Sequence, residues 1–504
     1  MDFMITVSML VIYIIGLAYA VFSNPLPNQQ FEEFAVGGRS FGWQFITMTI
    51  IGTWYPGSLM IGWAQMGYDM GFTSTYIVFY TLGGLFVFFL ICSPLWKLGK
   101  VYNLKTMGQL FEIRYNSRNL RIFTGLVVML VELPWIITEL LASGYAIQAI
   151  TYQRIPFNLG MAIIAVFFII YVLFSGMRAV ILADYYQGWM FLIGGITLFL
   201  VTIYSIFGGI PEMLMEVRNL NAELLTVPGP NAGWGGEVPG ELFWPSLILM
   251  GMLGAYMWPS LFSRIFAAAS TRELKESLRI TPFVAPTFTL LILWTAIGAA
   301  ARPEFNLGDS AYALVNMISS LGPVAVALIG ILILAGAMSM MDSMLSSWAI
   351  VLVNDVLTPL FPNMNSKSQT MITRIFTVII GLAGLAMAMT DLPTIVQILT
   401  RVYQAIVQVF PAVFLGLVWK RGNKYSAWAG TLTGLVIVVY FAFTQPDYVP
   451  FLGGMQAGLL AVAINFTVYI AIAYITKPEE NVDDVFAHIK TADSELKRID
   501  LAEK

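Results

Sequence analysis

One cysteine, Cys92, and one histidine, His488, are all that the 504 residues hold of these two types. A zinc site, a disulfide, a haem site or a Ser-His-Asp triad each needs more. Most catalytic chemistry lacks its parts, so neither an enzyme nor an enzyme cofactor is expected. Charge is equally scarce. Asp, Glu, Lys and Arg together make up 11% of the chain, against about 25% in a soluble globular protein. A water-soluble enzyme is excluded. The net charge of −3, with no long run of like charges, offers nothing to nucleic acid.

What fills the space is hydrocarbon. Apolar residues make up 58% of the chain, and they come in blocks near the ~20 residues that cross a bilayer. Apolar blocks between charged or turn-rich gaps predict about thirteen spans. They lie near 3–22, 42–66, 73–94, 122–150, 158–175, 180–207, 244–269, 280–301, 322–352, 372–390, 394–419, 425–444 and 452–475. The first block is expected to be a retained span rather than a secretion signal, because Asp2 stands in place of a basic start and no small-residue cleavage site follows.

Lys and Arg concentrate in alternate loops. One set holds Arg39, Lys97, Lys100, Lys105, Arg114, Arg118, Arg121, Arg264, Arg272, Lys275, Arg279, Lys367, Arg374, Lys420, Arg421 and Lys424. The opposite set is poor in cations: Asp69, Arg154, Glu212, Glu216, Arg218, Glu223, Glu237, Glu241, Arg302, Glu304, Asp309, Asp391 and Asp447. The basic set is expected to be cytoplasmic, with the N-terminus outside and the C-terminus inside. Residues 1–476 read as a single transmembrane domain in the plasma membrane, followed by a cytoplasmic tail, 477–504, where His488 is expected to be inert. The stretch 208–243, rich in Gly, Pro and Asn, is expected to be a cap or a partly ordered external loop.

Two spans carry a break. In the second run Gly52-Thr53-Trp54-Tyr55-Pro56-Gly57-Ser58, and in the seventh Gly254-Ala255-Tyr256-Met257-Trp258-Pro259-Ser260. Proline inside a helix removes a backbone bond, and in lipid the freed groups are tolerated only where protein or a cavity satisfies them. A single proline kink is common in membrane helices. Here the breaks match and open two consecutive five-span blocks, 42–207 and 244–419, flanked by peripheral helices at 1–23 and 425–476. Matching interruptions in two halves point to an inverted-repeat transporter with its site at the midplane.

Polar residues at depth mark the rest. Ser339, Asp342, Ser343, Ser346 and Ser347 share one helical face of the ninth span, which suits either a hard cation or plain helix–helix hydrogen bonding. Asp184 in the sixth span and Arg401 in the eleventh sit at similar depths, and Glu132 and Glu139 flank Trp135 in the fourth. Arg401 reads equally as a substrate contact or as a snorkelling cation. Trp54, Trp135 and Trp258 lie near mid-span, away from an interfacial belt.

These residues resemble the solute:sodium symporter family, from Phe34 to about Lys477. Phe34-Ala35-Val36-Gly37-Gly38-Arg39-Ser40, Ala183-Asp184-Tyr185-Tyr186-Gln187 and the run from Ala337 through Ser347 are similar to its motifs, as are Phe410-Pro411-Ala412-Val413 and Trp419-Lys420-Arg421. The resemblance implies an all-α LeuT-type core of two inverted five-helix repeats, functioning as a monomer, that imports a small organic solute with Na⁺ by alternating access. It places sodium ligands at Gly52, Tyr55, Gly336, Ser339 and Met340, with Asp184, Asp342 and Ser343 as further candidates. The chain departs from the family at Met340, where sodium-coupled members have Ser or Thr. A thioether is a poor ligand for a hard cation, so proton coupling stays open beside sodium coupling.

A narrower resemblance is to the choline transporter branch, carried by Thr53-Trp54-Tyr55-Pro56-Gly57, Glu132-Leu133-Pro134-Trp135 and Leu253-Gly254-Ala255-Tyr256-Met257-Trp258. It implies an aromatic cage of Trp54, Trp135 and Trp258, completed by Tyr80 or Tyr76; Gly57, Ser58 and Glu139 are further candidate solute contacts, and Arg401 points the other way, toward a carboxylate. Ring faces suit a quaternary ammonium, a guanidinium suits a carboxylate, and a zwitterion, an amino acid or a monocarboxylate each fits part of the set. A non-transporting membrane sensor remains the reading from another class.

Overall fold

The computed structural model describes residues 1–22, 35–174, 177–230, 240–306, 308–390, 392, 395–444 and 448–491. Phe34, Glu237, Asp391, Asp447 and the tail beyond residue 491, all invoked above, lie outside the described residues. The described chain is almost wholly helical, as hydrocarbon demands: a spanning backbone must satisfy its own polar groups. Among the described residues ten helices are long and apolar enough to cross a membrane, and a bent pair makes an eleventh.

α1 (Asp2–Phe22) lies at the periphery and packs on the ninth span. The second span is divided into α2 (Trp43–Trp54) and α3 (Ala64–Met70), with a π-helical turn over Leu59–Trp63. α4 (Tyr76–Val101) returns across the bundle, and a short α5 (Met107–Tyr115) leads into α6 (Arg118–Ile150), the longest helix. α7 (Phe157–Phe174), α8 (Met177–Trp189) and α9 (Ile196–Phe207) close the first half. The segment after them is a cap: α10 (Ile210–Leu220) buries Met213 and Val217, and Leu224 packs with Val217 under Phe72 and Trp294.

The second half opens with α11 (Phe243–Gly254) and α12 (Pro259–Ala267), bent 43° to one another. α13 (Thr271–Ala300) follows, then a short α14 (Ala313–Ser319), and then α15 (Pro323–Val351), the ninth span, which is buried along almost its entire length. α16 (Ser366–Ala388), α17 (Ile395–Ile406) and α18 (Phe410–Val418) complete it, and α19 (Lys424–Thr444) and α20 (Ala457–Ile475) pack on each other outside. A short helix, α21 (Val482–Lys490), docks on α4 and carries His488. Phe41 pairs with the backbone at Ala267 and Ala269, tying the entrance of the first broken helix to the exit of the second.

Three cations counted among the loop residues belong inside. Arg264 is 1% exposed, on α12 rather than in a loop, and Arg114 and Arg121 are also buried. Each has found acceptors: Arg114 donates to the carbonyl oxygens of Gly416 and Trp419, and Arg121 pairs with Glu112 at 2.5 Å and with buried Asp355 at 3.3 Å. A buried cation is tolerated when it is paired in this way.

Candidate functional site

The two breaks follow from proline chemistry. In a continuous helix the carbonyl of Gly52 would accept from residue 56, but Pro56 has no N–H. Tyr55 leaves helical geometry at φ −110° and ψ 64°. Its carbonyl also loses its usual donor, because Leu59 N–H turns to the oxygen of Pro56 at 3.0 Å. The second break repeats the pattern: Pro259 cannot donate to Ala255, and Met257 N–H makes a shorter-range bond to Gly254 at 3.0 Å. Each half therefore presents carbonyl oxygens without helical partners in the middle of the bundle.

The ninth span meets the first break closely. A Cβ on Gly336 would sit 2.4 Å from the Tyr55 carbonyl oxygen and 2.7 Å from Gly57 N, and one on Gly52 would meet Ser339 Oγ at 2.9 Å. The glycines press the first break onto the ninth span, Gly52 against Ser339 and Gly336 against the Tyr55 carbonyl, so that four sequence-predicted ion-site residues lie at this contact. Oxygen from unwound backbone and a hydroxyl is the donor set a hard cation takes. Ser339 Oγ also donates to Asp184, and so does Thr49 Oγ1 of α2. Met340 points elsewhere. Its side chain lines the aromatic chamber described next.

Arg264 is the residue that sequence reasoning misplaced. Its guanidinium lies 3.1 Å from Asp184 Oδ2, donates to Thr49 Oγ1 at 2.9 Å, and also donates to Ser343 Oγ and the Ser260 carbonyl. One side chain of the second broken helix thus holds the first broken helix, the sixth span and the ninth. Ser343 in turn donates to Ser339 O at 2.7 Å and lies 3.2 Å from Asp342 Oδ1, while Asp342 Oδ2 is buried with no hydrogen-bond partner. A signal existed in the sequence: Arg264 falls one helical turn after Ser260, on an element that begins at the break.

Beside this network a narrow chamber opens between the breaks. Trp54, Trp63, Tyr80, Trp135, Trp258 and Tyr403 form its aromatic wall, with Thr53, Ser260, Met340 and Met344 among the other lining residues. Trp258 meets Trp135 edge-on at 5.7 Å and Tyr403 at 5.1 Å, Trp63 stacks on Trp135 at 6.3 Å, and Trp54 lies 6.3 Å from Tyr80. Trp54 Nε1 is anchored on Thr81 Oγ1 at 2.8 Å. A second cavity, sharing Trp63, Tyr80 and Tyr403 and adding Tyr76, continues toward the bundle end that carries Met70 and Phe243. The contributions of Trp63 and Tyr403 were not evident from the sequence. Gly57 lies outside the wall, pressed against Ile333 and Ala337 of α15, and Ser58 is bonded to Glu139. Arg401 is exposed and absent from the chamber lining, although Tyr403 two residues on is part of it. Two residues turn a helix by about 200°, so the two side chains leave opposite faces.

The sodium:solute symporter family matches residues 34–434. The chain belongs to that family. An uncharacterized symporter of Bacillus subtilis is 24% identical over 89% of this chain and 92% of its own length. The sodium/pantothenate symporter of Haemophilus influenzae is 23% identical over 84% of this chain and 87% of its own. Among solved structures, the substrate-bound, outward-open Na⁺-coupled sialic acid symporter superposes with a TM-score of 0.79 at 16% identity, covering 94% of this chain and 98% of that one. The fold is the LeuT-type core. The protein is a multi-pass membrane symporter of the family, not an enzyme.

Proposed function

We propose that the chain uses Na⁺, running down its gradient across the cytoplasmic membrane, to import a small organic solute that binds in the aromatic chamber. The N-terminus lies outside and the C-terminus inside, and a single copy is the working unit. The observation that carries this is the meeting of both helix breaks with the ninth span. Gly52 packs against Ser339 and the Tyr55 carbonyl against Gly336 at the first break. Trp54, Trp135 and Trp258 gather in the chamber wall. Ion bound at the oxygens holds the ninth span against the first break, and that break carries Trp54 into the chamber wall. Occupancy of one site thereby alters the other, which is the coupling a symporter needs. The cavity at Tyr76 and Tyr80 supplies an approach from the outer face.

Purified protein in liposomes tests this directly. Imposing an inward Na⁺ gradient is expected to drive accumulation of a radiolabelled solute, and collapsing that gradient abolishes it. Uptake that persists with both Na⁺ and H⁺ gradients collapsed would remove ion coupling from the account.

A second reading has its own observations. Met340 supplies no oxygen to the ion site and Asp342 Oδ2 is buried without a partner, an arrangement that suits a proton. In that case an inward H⁺ gradient alone sustains uptake in Na⁺-free medium.

A further inference from the structure

In LeuT-type transporters a half-helix begins in the middle of the membrane, and the positive end of its dipole is a ready place for a solute carboxylate. Both such ends are already taken here. Glu139 lies 2.5 Å through Oε1 from Ser58 Oγ and accepts from Ser58 N–H through Oε2 at 3.3 Å, at the first turn after Pro56. Glu132 accepts from Ser260 N–H at 3.3 Å, at the first turn after Pro259, and from Ser347 Oγ at 3.0 Å. The two carboxylates stand two helical turns apart on α6, with Trp135 between them, so Glu132, Trp135 and Glu139 share one face of one rigid helix. Both are fully buried. In either protonation state, these amides are closed to a solute carboxylate.

The charge count points the same way. Around the breaks four buried carboxylates, Asp184, Asp342, Glu132 and Glu139, stand against one buried guanidinium, Arg264. No charged side chain lines the chamber itself. Uncompensated charge is expensive in this environment, and a solute carboxylate would add one more acid to a region where acids already outnumber the cation. The indole N–H of Trp135, buried in the wall, has no acceptor, leaving a neutral donor for a polar tail.

We infer that Glu132 and Glu139 set the sign of charge that the chamber accepts: they occupy both half-helix amino ends, so that the solute is a compact ammonium compound, net positive or zwitterionic, held by its cationic group on indole and phenol faces rather than by a carboxylate on a helix end. This rests on the chamber being the solute site. A net-anionic carboxylate finds neither a free helix end nor a cation there. A zwitterion keeps its cationic group on the rings and offers its carboxylate to Trp135 Nε1. Glu132 and Glu139 are positioning residues in this scheme, acting through the half-helices and through the local field.

The test uses the full chain in nanodiscs with Na⁺ present and reads tryptophan fluorescence with tetramethylammonium, glycine betaine and propionate as probes. Saturable quenching by the two ammonium compounds, with at least tenfold weaker binding of propionate, is expected. E132Q and E139Q are each expected to narrow that preference tenfold, and W135F to weaken glycine betaine more than tetramethylammonium. Should either Gln variant fail to fold, the wild-type preference and W135F still decide. Propionate binding as tightly as the ammonium probes, a preference unchanged in both Gln variants, or W135F weakening the two ammonium probes equally would overturn the inference. Na⁺-driven uptake in liposomes is read separately. Ammonium binding without Na⁺-driven accumulation would sink the coupling and leave the charge selectivity standing.

Discussion

Arg264 and Asp184 form a buried ion pair, 3.1 Å apart, that joins the second broken helix to the sixth span and is shared with Thr49 and Ser343. The pair connects the two halves of the core. Removing one partner of such a pair strands the other and costs on the order of 3–5 kcal/mol. Arg264→Gln is therefore expected to lower the thermal midpoint of the purified protein markedly. Combining it with Asp184→Asn is expected to recover part of the loss, since the uncompensated charge is gone. A double-mutant cycle on thermal midpoints measures the coupling. Additive losses would mean that the two side chains do not support one another.

Met340 stands where the family resemblance places a hydroxyl ligand, and its side chain lines the aromatic chamber. Met340→Ser restores the hydroxyl that the family resemblance places at this position. Apparent Na⁺ affinity in uptake assays is expected to rise about tenfold, a gain of roughly 1.4 kcal/mol. An unchanged Na⁺ dependence would show that the methionine costs the site nothing.

The tail helix offers a pH-dependent contact outside the membrane. Asp483 bonds to Lys420 at 2.5 Å, and that lysine holds the carboxyl below its usual value. A lowered carboxyl contributes stability above the ordinary carboxylate range, and the contribution is lost as pH falls through the lowered value. The pair is exposed, so the contribution is small. Hydrogen exchange at 482–490 is expected to quicken as pH drops below about 4, beyond the intrinsic pH effect on exchange. Lys420→Ala is expected to remove that extra change.

The helical architecture was legible because hydrocarbon solvent allows so few spanning structures: the apolar windows fall mainly on helix, and the Trp-Tyr-Pro and Trp-Pro breaks occur where proline removes a donor. The Ser339–Ser343 face was legible from helical spacing alone. Partnerships across helices were not. Arg264 read as a loop cation because charge at the end of an apolar block looks the same whether it meets water or a buried aspartate. Arg401 drew attention by its charge, whereas Tyr403, which reaches the chamber, carries no such mark. Glu132 and Glu139 were visible as a pair flanking Trp135. Their capping role depends on where Ser58 and Ser260 arrive, and three-dimensional approach of that kind leaves no period in the sequence.

The glycine that fits the ninth span against the first break supplies the most discriminating variant. At Gly336 an added Cβ would lie 2.4 Å from the Tyr55 carbonyl oxygen, a backbone atom that cannot swing away. Relief has to come from moving the unwound segment off α15, which separates the oxygens of Gly52 and Tyr55 from Ser339. At Gly52 the obstacle is Ser339 Oγ at 2.9 Å with the Asp184 side chain at 3.3 Å, and a hydroxyl can rotate. Gly336→Ala is accordingly expected to lower apparent Na⁺ affinity a hundredfold or more, about 2.7 kcal/mol. Gly52→Ala is expected to lower it about tenfold, about half that energy. Both follow from Na⁺-dependent uptake at saturating solute. A Gly336→Ala protein that keeps its Na⁺ affinity would show that the ion is bound somewhere other than between the first break and the ninth span.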